Sequence, residues 1–518
     1  MTTYPNRRRA WIPLLLGAAL ALSPLAPTAA FGRPTDPPVD AAVSRYLASI
    51  QDRPEALDAF FRDLPKGGDL HNHLSGAAST ELLLQLAVEQ GLCIDSTDTA
   101  QQPPCAAGTR PAADTSTDPA FRQEVIRAWS MQDFVPGAES GHDHFFATFG
   151  KFGAATYPHT GRLLAEVANR AAEQHQYYLE TMITPASSGA AALAAKVGWD
   201  PDLAALRDKL LADHQIADLV TQASGDLDRM FAEQRDVSHC GTPQATPGCA
   251  LPIRIISQAS RGTAPERVFT QLLLGMELAR HDNRFVAVNL VQPEDGPVAL
   301  RDYELQMGML DYLHGQYPEA HITLHAGELA PGLVKPEDLR FHIRQAVEKG
   351  QAERIGHGVD LGHEDDPDGL LRTMVERHVL VEVPLTSNAQ ILNVMGADHP
   401  FPRYLAAGVP VALATDDQGV ERIDISHEYR RAAETYGLDY RTLKRLSRTS
   451  IEYGFLPGAS IWRDGDVFRL APECAGERPG NRHPRADCAA LLAGSPKAAA
   501  QWQEEAGFAA FERHVLRK

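Results

Sequence analysis

The chain has 518 residues, of which 44% are hydrophobic and 22% are charged, which is enough for one large barrel or two ordinary domains. This composition is typical of a globular protein and excludes a disordered or low-complexity chain. The formal net charge of −18 at pH 7 describes an acidic surface that repels phosphate backbones, so nucleic acid is not expected as a partner.

The first thirty residues have the organisation of a secretory signal. Arg7, Arg8 and Arg9 precede an apolar run from Trp11 to Leu22, and small residues follow up to Ala30. The run is too short for a comfortable membrane span. We therefore predict a signal peptide over 1–30 and an exported protein, periplasmic or secreted, that does not stay in the membrane after cleavage. A retained N-terminal anchor is the alternative.

The remainder divides into a helical lead-in (31–65), a large barrel (66–455) and a C-terminal extension (456–518). Within the barrel, short apolar or β-rich runs alternate with stretches of helical pattern. Eight such strands are predicted, at 67–73, 177–183, 251–257, 284–291, 321–326, 353–358, 379–385 and 409–415. Eight alternations predict an α/β protein with a (β/α)8 TIM barrel, and a doubly wound open sheet is the alternative.

An insertion of about 93–145 separates the first two predicted strands. Its later part belongs to an aromatic-rich segment, 128–160, which would either cap the mouth of the barrel or pack as ordinary helix. The six cysteines fall into three local pairs, each of which brackets a loop-like stretch. In an exported protein they predict the disulfides Cys93–Cys105, Cys240–Cys249 and Cys474–Cys488, the last within the C-terminal extension. Other pairings and a structural zinc site remain alternatives.

Polar residues stand where four of the predicted strands end, which is where barrel enzymes place their chemistry. They are His71 and His73 on the first strand, His325 and Glu328 on the fifth, His357 on the sixth, and Asp416 and Asp417 on the eighth. Because strand residues two apart face the same side, the first two imidazoles can share one ion. Three histidines and a carboxylate suit Zn²⁺, and the remaining carboxylate and histidine can transfer protons.

The sequence resembles the adenosine deaminase family of the amidohydrolase superfamily. The motifs that carry the resemblance are PKGGDLHNHLSGA, HAGE, RIGHG, TSNAQIL and ATDD, in order over roughly 60–455. The PKG lead-in is most similar to the exported branch related to adenosine deaminase growth factors. The resemblance implies zinc-dependent hydrolytic deamination of adenosine and 2′-deoxyadenosine to inosine and 2′-deoxyinosine, with release of ammonia.

Residue by residue, the resemblance implies one Zn²⁺ per chain, held by His71, His73, His325 and Asp416. It also implies that Glu328 protonates purine N1 and that His357 orients the attacking water and helps to take its proton. Asp417 would hydrogen-bond purine N7.

Three departures from the family pattern concern the substrate. Ser75 stands where the family commonly has an aspartate that contacts ribose, so a charge-assisted hydrogen bond is lost there. Gln292 stands where a glycine N–H usually meets purine N3, and its side chain would crowd the site or add contacts. Gln418 and Gly419 follow the two aspartates in place of a commoner Asp-Asp-Pro ending. A further family motif, Ser387-Asn388, is interpreted as local scaffolding.

Other functions remain open. A deaminase of adenine or of a modified adenosine, or a hydrolase of another bond, would fit the same superfamily. A nucleoside-binding or receptor-binding protein without catalysis is the alternative from another class, and the full set of candidate ligands and proton-transfer residues argues against it. We expect a small-molecule nucleoside as the substrate and, by resemblance to the exported branch, a homodimer.

Overall fold

The computed structural model describes residues 38–465 and 467–517. The predicted signal peptide therefore lies outside the described residues. None of the helices within these two ranges combines the length and the apolar character that crossing a membrane requires.

The strands of the described chain form one large sheet and two small ones. They are β1 (Gly68–Asp69), β2 (Cys93–Ile94), β3 (Ala100–Gln101), β4 (Arg110–Pro111), β5 (Tyr178–Ile183), β6 (Ile253–Ser260), β7 (Phe285–Val291), β8 (His321–Ala326), β9 (Arg354–His357), β10 (Leu380–Val383), β11 (Val411–Leu413), β12 (Trp462–Asp464) and β13 (Arg469–Leu470). The large sheet has eight strands in the order β1-β5-β6-β7-β8-β9-β10-β11. Each strand is parallel to its neighbours, as the eight predicted strands required.

The two ends of this sheet meet through backbone hydrogen bonds just beyond β1 and β11. The amide of Asp416 donates to the carbonyl of His71 (2.8 Å), and the amide of His73 donates to the carbonyl of Asp416 (3.3 Å). The sheet is therefore a nearly closed barrel, and the predicted TIM barrel is confirmed. The same backbone contacts bring three candidate ligands to one point on its rim.

Helices alternate with the barrel strands and cover them. They are α1 (Pro38–Ser49), α2 (Pro54–Asp63), α3 (Leu74–Ala77), α4 (Thr80–Glu89), α5 (Pro119–Ala128), α6 (Gly141–Thr156), α7 (Thr160–Glu173), α8 (Ser187–Val197), α9 (Leu203–Leu211), α10 (Gln215–Val237), α11 (Pro265–His281), α12 (Pro297–Gln316), α13 (His342–Glu348), α14 (Pro367–Glu376), α15 (Leu385–Leu392), α16 (Phe401–Ala407), α17 (Gln418–Glu421), α18 (Ile425–Tyr436), α19 (Tyr440–Glu452), α20 (Ala486–Gly494) and α21 (Pro496–Val515).

Many of these helices begin at a residue that favours a helix start. Proline is the first residue of α11, α12 and α14, where its missing N–H costs nothing. Asp118 and Asp439 cap α5 and α19 by accepting hydrogen bonds from amides of the first turn.

The interior of the barrel is partly ionic rather than wholly apolar. Arg354 on β9 lies 2.5 Å from Glu180 of β5 and 2.6 Å from Glu382 of β10, and all three side chains are buried. Burying a charge is tolerated only when it is paired and hydrogen-bonded, as it is here. This ionic layer lies directly below the candidate ligand His71, which contacts Glu382.

The chain between β1 and β5 holds the predicted insertion. It contains the three-stranded antiparallel sheet β3-β2-β4 and the helices α5 and α6. All three predicted disulfides are confirmed, and they join Cys93 to Cys105, Cys240 to Cys249, and Cys474 to Cys488. The last of these lies between the short segment after β13 and α20, so the C-terminal extension carries a disulfide as predicted.

Candidate active site

Three imidazoles converge above the C-terminal ends of the barrel strands. His71 and His73 follow β1, and His325 lies near the end of β8. The Nε2 atom of His325 is 3.1 Å from Nε2 of His71 and 3.2 Å from Nε2 of His73. Asp416, which follows β11, places Oδ1 3.6 Å from His71 Nε2 and 3.4 Å from His73 Nε2. The structure thus brings together the four residues that the sequence predicts as metal ligands.

Each imidazole is held through its other nitrogen. His71 Nδ1 lies 2.7 Å from a carboxylate oxygen of Glu382. His73 Nδ1 donates to Gln258 (2.7 Å), and His325 Nδ1 donates to Asn289 (2.9 Å). An acceptor on Nδ1 keeps a proton there, so that in the neutral ring the Nε2 lone pair is directed into the cluster.

These spacings fit a tetrahedral metal centre. Two ligands about 2.0–2.1 Å from a common Zn²⁺ are roughly 3.3 Å apart, which is close to the distances between these nitrogens and oxygens. Ligand atoms of His71, His325, His357 and Asp416 lie within 4.8 Å of one another, and so do those of His73, Asp416 and Asp417. Asp416 belongs to both groups, so all the predicted ligands and two of the predicted catalytic residues form a single cluster.

Asp416 is fixed by its neighbours as well as by its backbone. Ser387 on α15 donates a hydrogen bond to Asp416 Oδ2 (2.8 Å). Asp416 has a φ of 53° and His357 a φ of 70°, both in the left-handed region that residues other than glycine rarely adopt. Such backbone strain concentrates at functional sites because the surrounding structure must enforce it.

The two predicted proton-transfer residues face the same cluster. His357 Nε2 lies 3.8 Å from Glu328 Oε1 and 3.7 Å from Asp416 Oδ2, and it has no hydrogen-bond partner. On its other side, His357 Nδ1 lies 2.9 Å from the amide oxygen of Asn388 on α15. Ser387 and Asn388 therefore support Asp416 and His357, in keeping with the predicted scaffolding role of this motif.

Asp417 is buried beside Asp416, and its Oδ1 has no partner. Gly76 on α3 leaves room for it, because a Cβ at this position would be 1.7 Å from Asp417 Oδ1. Gly419 on α17 permits a similar approach, since a Cβ there would be 1.9 Å from the carbonyl of Ala78. The unusual Gln418-Gly419 sequence therefore packs α17 tightly against α3.

Burial sets the protonation of the candidate acids. Burial and the charges of Asp416 and Glu294 raise the pKa of Glu328 well above its ordinary value. Burial and the charge of Asp416 do the same to the pKa of Asp417. Hydrogen bonding and charge from His71 lower the pKa of Asp416 although burial opposes this. These shifts favour the ionised form of Asp416 and the neutral forms of Glu328 and Asp417.

Burial also lowers the pKa of three of the four imidazoles. These are His73, His325, whose pKa the neighbouring imidazoles lower further, and His357, whose pKa falls to about 4. His71 differs: burial alone would lower its pKa, but hydrogen bonds with Asp416 and Glu382 raise it to about 10. Metal binding would therefore displace a proton from the His71 ring.

The predicted substrate-binding positions lie on segments that follow barrel strands. Ser75 on α3 is half-buried, one residue before Gly76. Gln292 follows β7 with a φ of 85°, a conformation that favours glycine. Its side chain accepts a hydrogen bond from the amide of Gly262 (3.0 Å), a residue that follows β6. The sequence predicted that the Gln292 side chain would crowd the site or add contacts there. The hydrogen bond with Gly262 instead directs this side chain towards the loop that follows β6.

The aromatic segment contributes α6, which both packs as a helix and reaches the rim. Phe145 and Phe152 are buried in the core. At its start, His142 Nε2 lies 2.9 Å from Asp295, which follows β7, and Gly141 lies against the carbonyl of Gln390 on α15. The two interpretations of this segment are therefore compatible.

Sequence reasoning missed the residues that hold the ligands. Glu382, Asn289 and Gln258 are the main ones. Glu382 and Asn289 lie within the predominantly apolar strands β10 and β7, whereas Gln258 lies on β6 among other polar residues. A single polar residue in such a strand is the signal that would have found Glu382 and Asn289, since a buried polar side chain must have a partner.

Comparison with known proteins agrees with this geometry. The family profile described as adenosine deaminase matches residues 145–460, which is more than half of the chain. An adenosine deaminase of Salmonella newport is 39% identical over 137 residues, which are 26% of this chain and 38% of that protein. An adenosine deaminase of Salmonella typhi shows the same identity over the same length. The matched region is thus less than two fifths of the length of these curated relatives.

Solved structures support the fold. A crystal structure of an Arabidopsis N6-mAMP deaminase has a TM-score of 0.52 at 21% identity and covers 77% of this chain and 96% of its own. An amidohydrolase from Burkholderia ambifaria with bound Zn has a TM-score of 0.50 at 16% identity and covers 89% of this chain and 95% of its own. On the extent of the profile match, the chain belongs to the adenosine deaminase family.

Proposed function

We propose that this protein hydrolytically deaminates adenosine and 2′-deoxyadenosine and that it uses one Zn²⁺ per chain. The observation that carries the proposal is the single cluster in which His71, His73, His325 and Asp416 converge beside two acids and a free imidazole nitrogen. A catalytically inactive binding protein would have no need for a complete set of metal ligands and proton-transfer residues.

The residues of the cluster suit zinc better than a hard cation. Three imidazoles and one carboxylate match the nitrogen and oxygen ligands that Zn²⁺ prefers, whereas Mg²⁺ and Ca²⁺ favour oxygen ligands alone. When bound, Zn²⁺ would lower the pKa of a coordinated water and so supply a nucleophile near neutral pH.

Glu328 and His357 provide the two proton movements that the reaction requires. A ring carbon that bears an amino group is a poor electrophile, and a proton from the neutral Glu328 carboxyl to purine N1 makes C6 more electrophilic. His357 holds the attacking water through Nε2 and assists removal of its proton. The water oxygen bonds to C6, and the proton that His357 removed from the water passes to the amino group. The C6–N6 bond then breaks and ammonia leaves, while the oxygen at C6 becomes a carbonyl by returning its remaining proton to Glu328.

Asp417 orients the purine. Its buried carboxyl has a raised pKa, so it keeps a proton that it can donate to purine N7. Its unpartnered Oδ1 leaves an atom available for the substrate. The backbone N–H of Gln292 is assigned to purine N3 and the hydroxyl of Ser75 to the ribose, by resemblance to the family pattern.

The proposal is tested by ultraviolet absorbance with purified protein and four substrates: adenosine, 2′-deoxyadenosine, adenine and AMP. We expect the shift from adenosine to inosine with the first two, its loss on dialysis against a chelator, and its return with Zn²⁺. Turnover of adenine alone would establish the alternative substrate. No change with any of the four would refute the proposal.

We also propose that the protein is exported. Three short-range disulfides are typical of an oxidising compartment, and the arginine-led apolar stretch precedes them in the sequence. N-terminal sequencing of the native protein should begin near residue 31. A native protein that retains residues 1–30 would contradict cleavage.

A further inference from the structure

A buried ion pair outside the predicted site makes hydrogen bonds to the backbone of the loop that carries Glu328. The pair consists of Arg261, which follows β6, and Glu294, which follows β7. Their charged atoms approach to 3.7 Å, and both side chains are fully buried. Neither residue is a candidate metal ligand or proton donor. Arg261 nevertheless contacts the backbone of the candidate ligand His325, and Glu294 contacts the backbone of the candidate proton donor Glu328.

Glu294 holds the loop by its amides. One carboxylate oxygen accepts from the amide of Glu328 (2.8 Å), and the other accepts from the amide of Gly327 (3.2 Å). The second oxygen also lies 2.7 Å from Nδ1 of His342, the first residue of α13. Glu294 therefore fixes the backbone from which the proton donor projects.

Arg261 holds the same loop by a carbonyl. Its Nη2 atom donates to the carbonyl of His325 (2.6 Å) and to the carbonyl of Leu290 on β7 (2.9 Å). The two charged residues thus bind the segment His325–Glu328 at both ends, one through an acceptor and one through a donor. We call Arg261 and Glu294 the loop clamp.

The surroundings of the clamp leave it little freedom. His342 stacks on Tyr303 with ring centroids 3.8 Å apart, and the Tyr303 hydroxyl donates to the carbonyl of His342 (2.7 Å). On the far side of the loop, a Cβ on Gly327 would be 2.5 Å from Asp360 Oδ1, so the loop already lies against its neighbours. A misplacement of about 1 Å in a catalytic group can cost on the order of 100-fold in rate.

We propose that Glu294, with Arg261, is a positioning residue that sets the place of the Glu328 carboxyl relative to the cluster. A buried ion pair is weak evidence for stability, because well-packed apolar residues of similar volume often stabilise as much. The three hydrogen bonds that the pair makes with the segment His325–Glu328 are better explained by the precision that proton transfer demands.

The test compares Glu294→Ala and Glu294→Gln with Glu364→Gln. Glu364 is the matched control, since it is also buried and accepts from a backbone amide, but that amide belongs to Arg344 on α13 (3.1 Å) and not to the loop. With adenosine as substrate, Glu294→Ala should lower kcat about 100-fold and Glu294→Gln about 10-fold, with KM within about threefold of the wild type. Glu364→Gln should keep kcat, and all variants should keep their metal content.

Hydrogen exchange of the loop gives a readout that needs no turnover. The amides of Gly327 and Glu328 should exchange faster in Glu294→Ala, while those of β8 should be unchanged. The positioning role rests on the proposed function, whereas the exchange measurement does not depend on turnover. If the protein were inactive on adenosine compounds, the exchange rates would still show whether Glu294 holds the loop.

A Glu294→Ala variant with a kcat within threefold of the wild type would overturn the proposal, whatever the exchange rates of the Gly327 and Glu328 amides. So does a loss of kcat with unchanged loop exchange, because Glu294 would then act by another route. If the alanine variant does not fold, the same criteria apply to Glu294→Gln, which preserves the size of the side chain and one acceptor oxygen.

Discussion

Replacement of Glu328 is expected to separate the proposed metal binding from the proposed proton transfer. Its carboxyl is buried, and its pKa is raised because burial and the charges of Asp416 and Glu294 disfavour ionisation. Glu328→Gln keeps the shape of the side chain but removes the carboxyl proton that the proposed reaction transfers to purine N1. We expect kcat to fall by about 100-fold to 10,000-fold, measured by the loss of adenosine absorbance.

Metal content is the control for the Glu328 variant. Glu328 is not among the four predicted ligands, so Glu328→Gln should bind as much Zn²⁺ as the wild type, measured by elemental analysis of the dialysed protein. A fully active Glu328→Gln variant would show that another group donates the proton.

Ser75 should affect binding rather than chemistry. Its half-buried hydroxyl lies on α3, which also supplies the space for Asp417. Removal of one neutral hydrogen bond costs about 0.5–1.5 kcal/mol, so Ser75→Ala should raise KM for adenosine roughly 3-fold to 10-fold and leave kcat nearly unchanged. Steady-state kinetics on adenosine and adenine distinguish the roles, because adenine lacks the ribose. An equal effect on both substrates would place Ser75 against the base instead.

The sequence predicts the candidate ligands and proton-transfer residues better than it predicts the residues that hold them. His71 and His73 stand two apart in a strand, so their common direction follows from strand geometry. Their partners Glu382 and Gln258 come from strands that are distant in the sequence. Only the closed barrel brings these partners within hydrogen-bonding distance, and no local pattern contains that information.

At the scale of secondary structure, the barrel strands were predictable because they are buried on both faces. Strands such as β7 and β10 are buried throughout, which produces nearly continuous apolar runs in the sequence. The short helices of the rim were not predictable in this way. The helix α3 has four residues, and its place depends on packing against α17 and α7 rather than on periodicity.

The close packing of α3 against the site gives a prediction for this element. In Gly76→Ala the new Cβ would begin 1.7 Å from Asp417 Oδ1, so either α3 or the Asp417 carboxyl must move. Because Asp417 is assigned to purine N7, we expect kcat/KM for adenosine to fall at least about 10-fold.

Gly150→Ala is the matched control for that helix substitution. Gly150 lies within α6, and a Cβ there would meet no atom within 4 Å. Alanine in a helix interior is favoured over glycine by about 0.5–1 kcal/mol, so this variant should raise Tm slightly and keep activity. If Gly76→Ala behaved as Gly150→Ala does, the assigned role of Asp417 would be wrong.

At the scale of the whole molecule, the C-terminal extension packs against the barrel through α21. This helix contacts α19 and α1, and Phe511 packs edge-on against Phe60 of α2 with ring centroids 5.0 Å apart. Two adjacent glutamates on α21 differ in their surroundings. Glu505 pairs with Arg448 at 2.6 Å, whereas Glu504 accepts a hydrogen bond from Ser447 (2.6 Å) and its second oxygen has no partner.

This difference predicts how stability depends on pH. Burial raises the pKa of Glu504 to about 8, with a further contribution from the charge of Glu505. In the unfolded chain the carboxyl ionises near its ordinary value of 4.5, so between pH 4.5 and 8 the unfolded state binds fewer protons than the folded state. The contribution of Glu504 to folding is therefore complete below pH 4.5 and is lost as the pH rises to about 8.

Glu504→Gln removes that dependence, since the neutral amide keeps the acceptor for Ser447. Compared with the wild type, the variant should have a similar Tm at pH 5 and a higher Tm at pH 8. One pKa unit corresponds to about 1.4 kcal/mol, so the gain in unfolding free energy at pH 8 should be a few kcal/mol. Glu505→Gln is the control: it leaves Arg448 without its carboxylate partner and should lower Tm at pH 8. Thermal unfolding at both pH values measures these effects. If the Tm difference between Glu504→Gln and the wild type is the same at pH 5 and pH 8, Glu504 titrates as an ordinary carboxyl group.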